Sequence, residues 1–526
     1  MKITVCSSMV KLFSIDDCKE IKSGKCLKNE SFNFQLYVQS NEDICIPISA
    51  QSDVKAKLYE VVKVKGDLYI DKEVDDYYVY AEDHMYPELL KERENVCIKA
   101  GESATLFVEI PAEEKSAGEH IIQVQIGEQT VCFPLTVVDA ELAETDIYLT
   151  NWVHMDGICN YYGVQPFSKE FYAKFKQYLA AYTKMGNNMI LVPVFTPPLD
   201  TQVGGERLTT QLLKIKKEGN SYEFDFSEVE RYIDLCEEYG VKYFEFCHLF
   251  TQWGGEFCPK IVATVNGKEE KIFGWETSSE SEEYKAFLKA YLTEVTAFAE
   301  KKGIKERSVM HLTDEPHAQH IDTYVRLAEF VKQYNGGIQI VDALSNYSFA
   351  QRGAVDMPVV CTGSWEFDKF ENTERMLYYC VGVDGDCLSN RYFHMPLQRT
   401  QVLGFQLYGT QVKGFLHWGF NFYNTRYSLR EVNPYEETTA GNEFVAGDSY
   451  VVYPGEKSIE YSIRYFALLK GFEDYRLMKS VEEKIGKEQA LALLKNEGVE
   501  GMHIYPHSVV WHENFREKLY GILEKE

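Results

Sequence analysis

Asp314 and Glu315 stand side by side at the end of Ser308-Val309-Met310-His311-Leu312-Thr313-Asp314-Glu315-Pro316, an apolar stretch that closes on two carboxylates and a proline. Adjacent carboxylates repel each other, so a pair placed where an apolar strand meets a loop needs a reason. Capping of the next helix is the plain alternative. The chemistry that two such groups point to first is glycoside hydrolysis, which needs a protonated acid and a partner that stabilises charge. Two arrangements stay open. A direct nucleophile would belong on another strand end, about 5 Å from the acid, and Glu366, Asp384 and Asp386 are the candidates. Alternatively Asp314 is the partner. Being next to Glu315, it cannot attack from the opposite face of the sugar, and would instead orient a 2-acetamido group that supplies the nucleophile.

The surrounding aromatic and amide residues are binding candidates by their place at strand ends. Trp152, His248, Trp365 and Trp418 end or nearly end predicted strands, where they would stack on a sugar or bond its hydroxyls. Tyr347 follows the fifth strand and would reach an acetamido carbonyl; Asn390 and Asn421 would bond hydroxyls. Trp253, in Gln252-Trp253-Gly254-Gly255, sits on a loop able to close over the site. His311, His317 and His320 are close in sequence but divide between a strand and the loop and helix after it. The chain contains no H-E-x-x-H, P-loop or G-x-S-x-G pattern. No metal or cofactor is expected.

To hold these residues the chain must supply strands whose ends converge. From about residue 146 strands and helices alternate. The predicted strands are 147–152, 188–195, 241–250, 308–315, 338–344, 359–365, 377–383 and 414–422, with amphipathic helices such as 170–185 and 283–301 between them. Ser227-Glu228-Val229-Glu230 reads as a capping box, and two hairpin excursions interrupt the early repeats. Eight such units predict a (β/α)8 barrel, whose active face is the C-terminal end of its strands. Residues 1–142 alternate with period two, as in Phe32–Val38 and Ala104–Ile110, and predict a β-sandwich that packs and stabilises. The expected division is therefore a sandwich at 1–142, a catalytic barrel at 143–455 and a helical C-terminal extension at 456–526 packed on the barrel.

Bulk properties exclude several partners. The 526 residues carry a formal charge of −26, which argues against nucleic acid and anionic membranes. The 36 tyrosines and 31 phenylalanines exceed what packing needs and suit sugar clefts. Thirteen cysteines, none in a C-x-x-C pair and several within apolar runs (Cys132, Cys236, Cys247, Cys361), predict reduced thiols rather than a disulfide framework. With no signal-peptide pattern and no apolar run of about 20 residues, the expectation is a cytoplasmic protein acting on an oligosaccharide or glycoconjugate.

Several stretches resemble family 123 glycoside hydrolases: Thr313-Asp314-Glu315-Pro316, Phe273-Gly274-Trp275, Lys413-Gly414-Phe415-Leu416-His417-Trp418-Gly419-Phe420-Asn421, Gly447-Asp448-Ser449-Tyr450, and Ser462-Ile463-Arg464-Tyr465 with Gly471-Phe472-Glu473-Asp474-Tyr475. The N-terminal Tyr86-Pro87-Glu88-Leu89-Leu90 belongs to the likeness, which spans nearly the whole chain. The resemblance implies a sandwich followed by a barrel, and hydrolysis of terminal β-linked N-acetylgalactosamine with retention by substrate assistance. It implies that Asp314 orients the acetamido group and stabilises an oxazolinium, and that Glu315 is acid and then base. A conventional retaining β-glycosidase and a catalytically silent glycan-binding protein are the alternatives.

Overall fold

The computed structural model describes residues 1–67, 75, 77–80, 82–379 and 387–525. Asp384, Asp386 and the end of the predicted seventh strand lie outside the described residues. The chain forms two compact units. One is Ile147–Val383 with Val412–Asn433; the other is Met1–Asp146, Asp384–Gln411 and Pro434–Glu526.

The first unit contains eight parallel strands: β1 (Tyr148–Asn151), β2 (Met189–Val192), β3 (Tyr243–Phe246), β4 (Ser308–His311), β5 (Gln339–Leu344), β6 (Met357–Cys361), β7 (Met376–Tyr378) and β8 (Gly414–His417). Hydrogen bonding runs in the order β1-β8-β7-β6-β5-β4-β3-β2, a nearly closed barrel. Almost every strand residue is buried, because helices cover the outside and side chains fill the inside. Between β1 and β2 the ladder is replaced by Asn188. Its N–H donates to the Leu149 carbonyl (3.0 Å), its Oδ1 accepts from Leu149 N (2.9 Å) and its Nδ2 donates to the Ile147 carbonyl (2.9 Å). One amide side chain thus stands in for a missing strand residue.

Covering helices form where the apolar stripe predicts them. Lys169–Lys184 buries Phe171, Phe175, Tyr178 and Tyr182, and Ser168 caps it by accepting from Phe171 N. Glu282–Lys302 is capped by Ser281 and ends on Gly303 in the left-handed conformation. The predicted capping box at Ser227 does not form: Ser227 is the first helical residue and its N–H is taken by Asp225 Oδ1 at 2.9 Å. The two hairpin excursions, Lys214–Glu218 with Ser221–Asp225 and Ile261–Val265 with Lys268–Phe273, join into one four-stranded sheet through a parallel pairing of Lys216 with Thr264.

The second unit holds two sheets. Strands Lys2–Ser7, Phe32–Gln39, Ser103–Ile110, Lys57–Gly66 and His84–Glu92 continue into Glu460–Ser462 and Val452–Tyr453 from the far end of the chain. The other sheet is five-stranded, and both contribute to one apolar cluster that includes Phe34, Leu36, Leu106, Val108, Ile122, Val124 and Phe133. The pairing of Tyr461 with Leu90, and the buried bond of Arg464 to Glu88 at 2.7 Å, draw residues 434 onward into this unit. The unit boundary therefore departs from the predicted 455/456 break. Helix Ile463–Ile485 packs on Leu403–Thr410, the helix leading into β8, at a close crossing: a Cβ on Gly404 would lie 1.7 Å from the Gly471 carbonyl oxygen.

Two expectations about cysteine are corrected. Cys45 is bonded to Cys97, its partner on the neighbouring strand, and Cys6 to Cys18, on the segment that folds back beside the chain's first strand. Cys132 is exposed, whereas Cys236, Cys247 and Cys361 are buried thiols outside the two disulfides. No helix among the described residues is long and apolar enough to cross a membrane.

Candidate active site

β4 delivers the carboxylate pair to the C-terminal mouth of the barrel, and its neighbours on both sides hold it there. The chain runs on from His311 through Leu312 and Thr313, then turns at Glu315, whose φ of +45° is left-handed for a residue with a side chain. Such backbone costs of order 1–3 kcal/mol and persists only where the surroundings enforce it. Here they do. Glu315 N donates to the Ala343 carbonyl on β5 at 3.1 Å, and the Asp314 carbonyl accepts from Trp253 N at 2.9 Å. Trp253 itself has φ +64°, and its carbonyl accepts from His317 N at 3.2 Å.

The two carboxyls occupy different environments. Asp314 is buried, and Gln252 Nε2 donates to its Oδ2 at 2.6 Å. Burial, then the charge of Glu315, raise its pKa well above the ordinary range, against a lowering by His311 and by the Gln252 bond. Glu315 is partly exposed, and Tyr378, at the end of β7, donates its hydroxyl to Oε1 at 2.7 Å. A third acid, Asp200 in the loop after β2, accepts from Tyr427 N at 3.0 Å. Burial pushes its pKa up to about 6, and Glu315 adds to the rise. Neither Asp200, Gln252 nor Tyr378 was expected here, since each is an ordinary residue of its own segment until the barrel brings its loops together.

Below the pair lies a polar layer. Trp152 and His248, expected against the sugar, are both buried in it. Trp152 Nε1 donates to Glu245 at 3.1 and 3.2 Å, and its ring meets His248 edge-on at 5.1 Å. Asn421 is likewise withdrawn: it accepts from His154 N and donates to His154 O, at 2.9 and 3.0 Å, pinning the loop after β1. Asn390 belongs to the other compact unit, where it is buried and accepts from Arg391 N. Trp418, after β8, is partly buried beside Phe422, with ring centroids 5.0 Å apart. Trp253 packs edge-on to Tyr427 at 5.7 Å. Trp365 is 82% exposed, past the end of β6, with Lys369 over its ring. Tyr347 opens a short helix and stacks edge-on to Phe370 at 5.0 Å.

Glu366, a candidate nucleophile, is already engaged. Its oxygens take the Lys369 ammonium and the Tyr347 N–H, each at 2.6 Å, and its pKa is lowered by Lys369 and that N–H despite the opposing effect of burial. His248, His311 and Asp314 have ligand-type atoms within 4.8 Å of one another. Both nitrogens of His311 also face carboxylates, at 2.7 Å (Glu245) and 3.4 Å (Asp342).

Comparison with known proteins agrees with this geometry. The family description "glycoside hydrolase 123, catalytic domain" matches residues 152–481. A family 123 glycoside hydrolase from Clostridium perfringens, whose structure concerned glycolipid glycan hydrolysis, superimposes with a TM-score of 0.74 at 16% identity, over 99% of this chain and 97% of that one. A family 2 glycosyl hydrolase from Bacteroides cellulosilyticus (TM-score 0.30, 10% identity, 81% of this chain and 48% of that one) is far more distant. So is the Clostridium thermocellum endo-1,4-β-D-xylanase 10B (0.33, 9%, 90% and 95%). No curated protein matches the chain.

Proposed function

We propose, for a chain that belongs to glycoside hydrolase family 123, that it releases terminal β-linked N-acetylgalactosamine by substrate-assisted catalysis with retention. The observation that carries this reading is the adjacency of Asp314 and Glu315 on a single left-handed turn at one strand end. Two neighbours on one turn cannot flank a sugar from opposite faces, and in this reading the substrate's own acetamido group supplies the nucleophile.

In the first step Glu315 gives its proton to the glycosidic oxygen while the acetamido carbonyl oxygen attacks the anomeric carbon and the bond to the leaving group breaks. The resulting oxazolinium carries its positive charge next to the acetamido N–H. Asp314, a buried carboxyl with raised basicity, accepts that N–H and stabilises the charge in a site of low dielectric. In the second step Glu315 takes a proton from water, the water oxygen attacks the anomeric carbon and the oxazolinium opens. Two inversions give retention. Tyr378 holds the Glu315 carboxyl in register and Gln252 holds Asp314. Trp253 and Trp418 are the proposed walls of the sugar pocket, with Tyr347 and Trp365 further out.

The second reading is a two-carboxylate mechanism, with Asp200 in the loop after β2 as the other acid. The readings separate on an aryl N-acetyl-β-galactosaminide compared with the aryl β-galactoside. Substrate assistance expects release from the acetamido sugar alone, inhibition by a thiazoline analogue and loss of activity in Glu315→Gln. Release from the galactoside, unaffected by thiazoline, would replace it with Asp200 as nucleophile.

A further inference from the structure

Three fully buried ionisable residues lie on consecutive strands beneath the pair and take no part in the steps above: Glu245 on β3, His311 on β4 and Asp342 on β5. His311 Nδ1 is 2.7 Å from Glu245 Oε1, and Nε2 is 3.4 Å from Asp342 Oδ1. A neutral imidazole has one N–H and would meet one of these oxygens with a lone pair; an imidazolium turns a proton to both, as a hydrogen bond to Glu245 and a longer ion pair to Asp342. Burial pulls the ring toward neutrality, but the two carboxylates overcome it and raise its pKa to about 10. His248, with its ring centroid 4.1 Å away, is kept neutral by burial and by the charge on His311.

Asp342 also reaches the catalytic turn. Its Oδ2 accepts from Thr313 N at 2.8 Å, Thr313 Oγ1 at 2.9 Å and Tyr324 OH at 2.7 Å. The next residue, Ala343, accepts the N–H of Glu315 at 3.1 Å. β5 therefore grips the chain immediately before Asp314 and at Glu315, and the grip before Asp314 is a carboxylate whose charge would be intolerable in the core without a counter-ion.

We infer that Asp342 is the positioning residue of the Asp314–Glu315 pair, and that His311 is a buried imidazolium that neutralises Asp342 and Glu245 and favours ionisation of Asp314 against its burial beside Glu315. This rests on the reading of Asp314 as the group that must be ionised to work. The titratable groups facing His311 are Glu245 and neutral His248 from β3 and the loop after it, Asp314 and Glu315 from its own strand end, and Asp342 from β5, behind which Tyr324 donates. The effects on Asp314 are opposed: the His311 charge favours its ionised form and the Asp342 charge disfavours it.

The test has two parts. The full-length protein labelled with 15N-histidine gives the protonation state of His311, assigned by the resonance lost in His311→Gln. Both ring nitrogens are expected to stay protonated from pH 6 to pH 9. The acid limb of kcat/KM, where Asp314 gains its proton, is expected to move up by roughly one pH unit in His311→Gln and down by a similar amount in Asp342→Asn. Asp342→Ala, which drops the Thr313 grip, is expected to lower kcat by about 100-fold with little change in KM, and Asn to restore much of it. A residue with only a packing role would lower stability without moving the limbs apart. A neutral His311 at pH 8, or limbs that move together or not at all, overturns the inference. Since the 15N measurement needs no turnover, it reads His311 even if no 2-acetamido sugar is cleaved. Should His311→Gln not fold, Asp342→Asn together with loss of the ring proton at lower pH in that variant decides the matter.

Discussion

Asp314→Asn should make the protein more stable and nearly inactive, and the pH dependence of the stability change carries the test. The carboxyl is buried beside Glu315, and its folded pKa lies well above the usual value. For an acid whose pKa is raised by folding, the folded state keeps a proton that the unfolded state has released. Its contribution is therefore fully favourable below the unfolded pKa near 3.8 and is lost as pH rises through the folded pKa. An asparagine never ionises, so the variant should match the wild type at about pH 4 and gain on it as pH rises. Each pH unit within that window adds about 1.4 kcal/mol, which corresponds to a rise of about 2–4 °C in Tm per kcal/mol. Meanwhile the amide keeps the shape, and can still meet Gln252, but cannot stabilise the oxazolinium charge. Loss of one preorganised electrostatic contact costs about 10²–10³ in kcat, or ~3–4 kcal/mol. The assays are thermal unfolding of both proteins between pH 4 and pH 8, and turnover of an aryl N-acetyl-β-galactosaminide. A variant destabilised equally at every pH would show that the native carboxyl is not held against its own charge. Turnover within a few-fold of wild type would show that Asp314 does not act in the reaction.

Tyr378→Phe removes the 2.7 Å hydroxyl bond to Glu315. It should lower kcat by about tenfold at nearly constant KM and Tm, since ~1.4 kcal/mol of orientation is lost from a reacting group alone. Gly404→Ala would drive a methyl group to 1.7 Å from the Gly471 carbonyl oxygen. It should destabilise by about 1–3 kcal/mol or more, seen as a fall in urea midpoint, because backbone cannot rotate away as a side chain can. Asn188→Ala deletes the side-chain bonds to Leu149 and Ile147 that close β1 on β2. A loss of about 2–3 kcal/mol in unfolding free energy is expected, with faster hydrogen exchange confined to the β1–β2 seam.

How much of the molecule was legible along the chain follows from the range of the interactions concerned. Helix stripes such as Phe171, Phe175, Tyr178 and Tyr182, the eight strand positions of the barrel and the Asp314–Glu315 pair are local patterns, set by periodicity and by neighbours in sequence, and the order of elements carried them. The same is true of the Asn266-Gly267 turn, whose residues supply φ of +49° and +80°. Strand-end position alone was a poor guide to binding residues, because a side chain at a strand end points either into the mouth or into the layer beneath it. Trp152, His248 and Asn421 took the second course and satisfy buried partners. Gln252, Tyr378 and Asp200 come from three different loops, and nothing local marks them. The pairing of Cys45 with Cys97 depends on which strands lie side by side, and that of Cys6 with Cys18 on a loop folding back onto the chain's first strand. So does the capture of Val452–Ser462 by the N-terminal sheet, which moved the unit boundary. By itself the sequence determined a barrel with two carboxylates at one strand end. Only the tertiary structure decided which of them is buried, what holds each and where the compensating charge lies, because desolvation and Coulomb effects act between residues that are near in space and far apart along the chain.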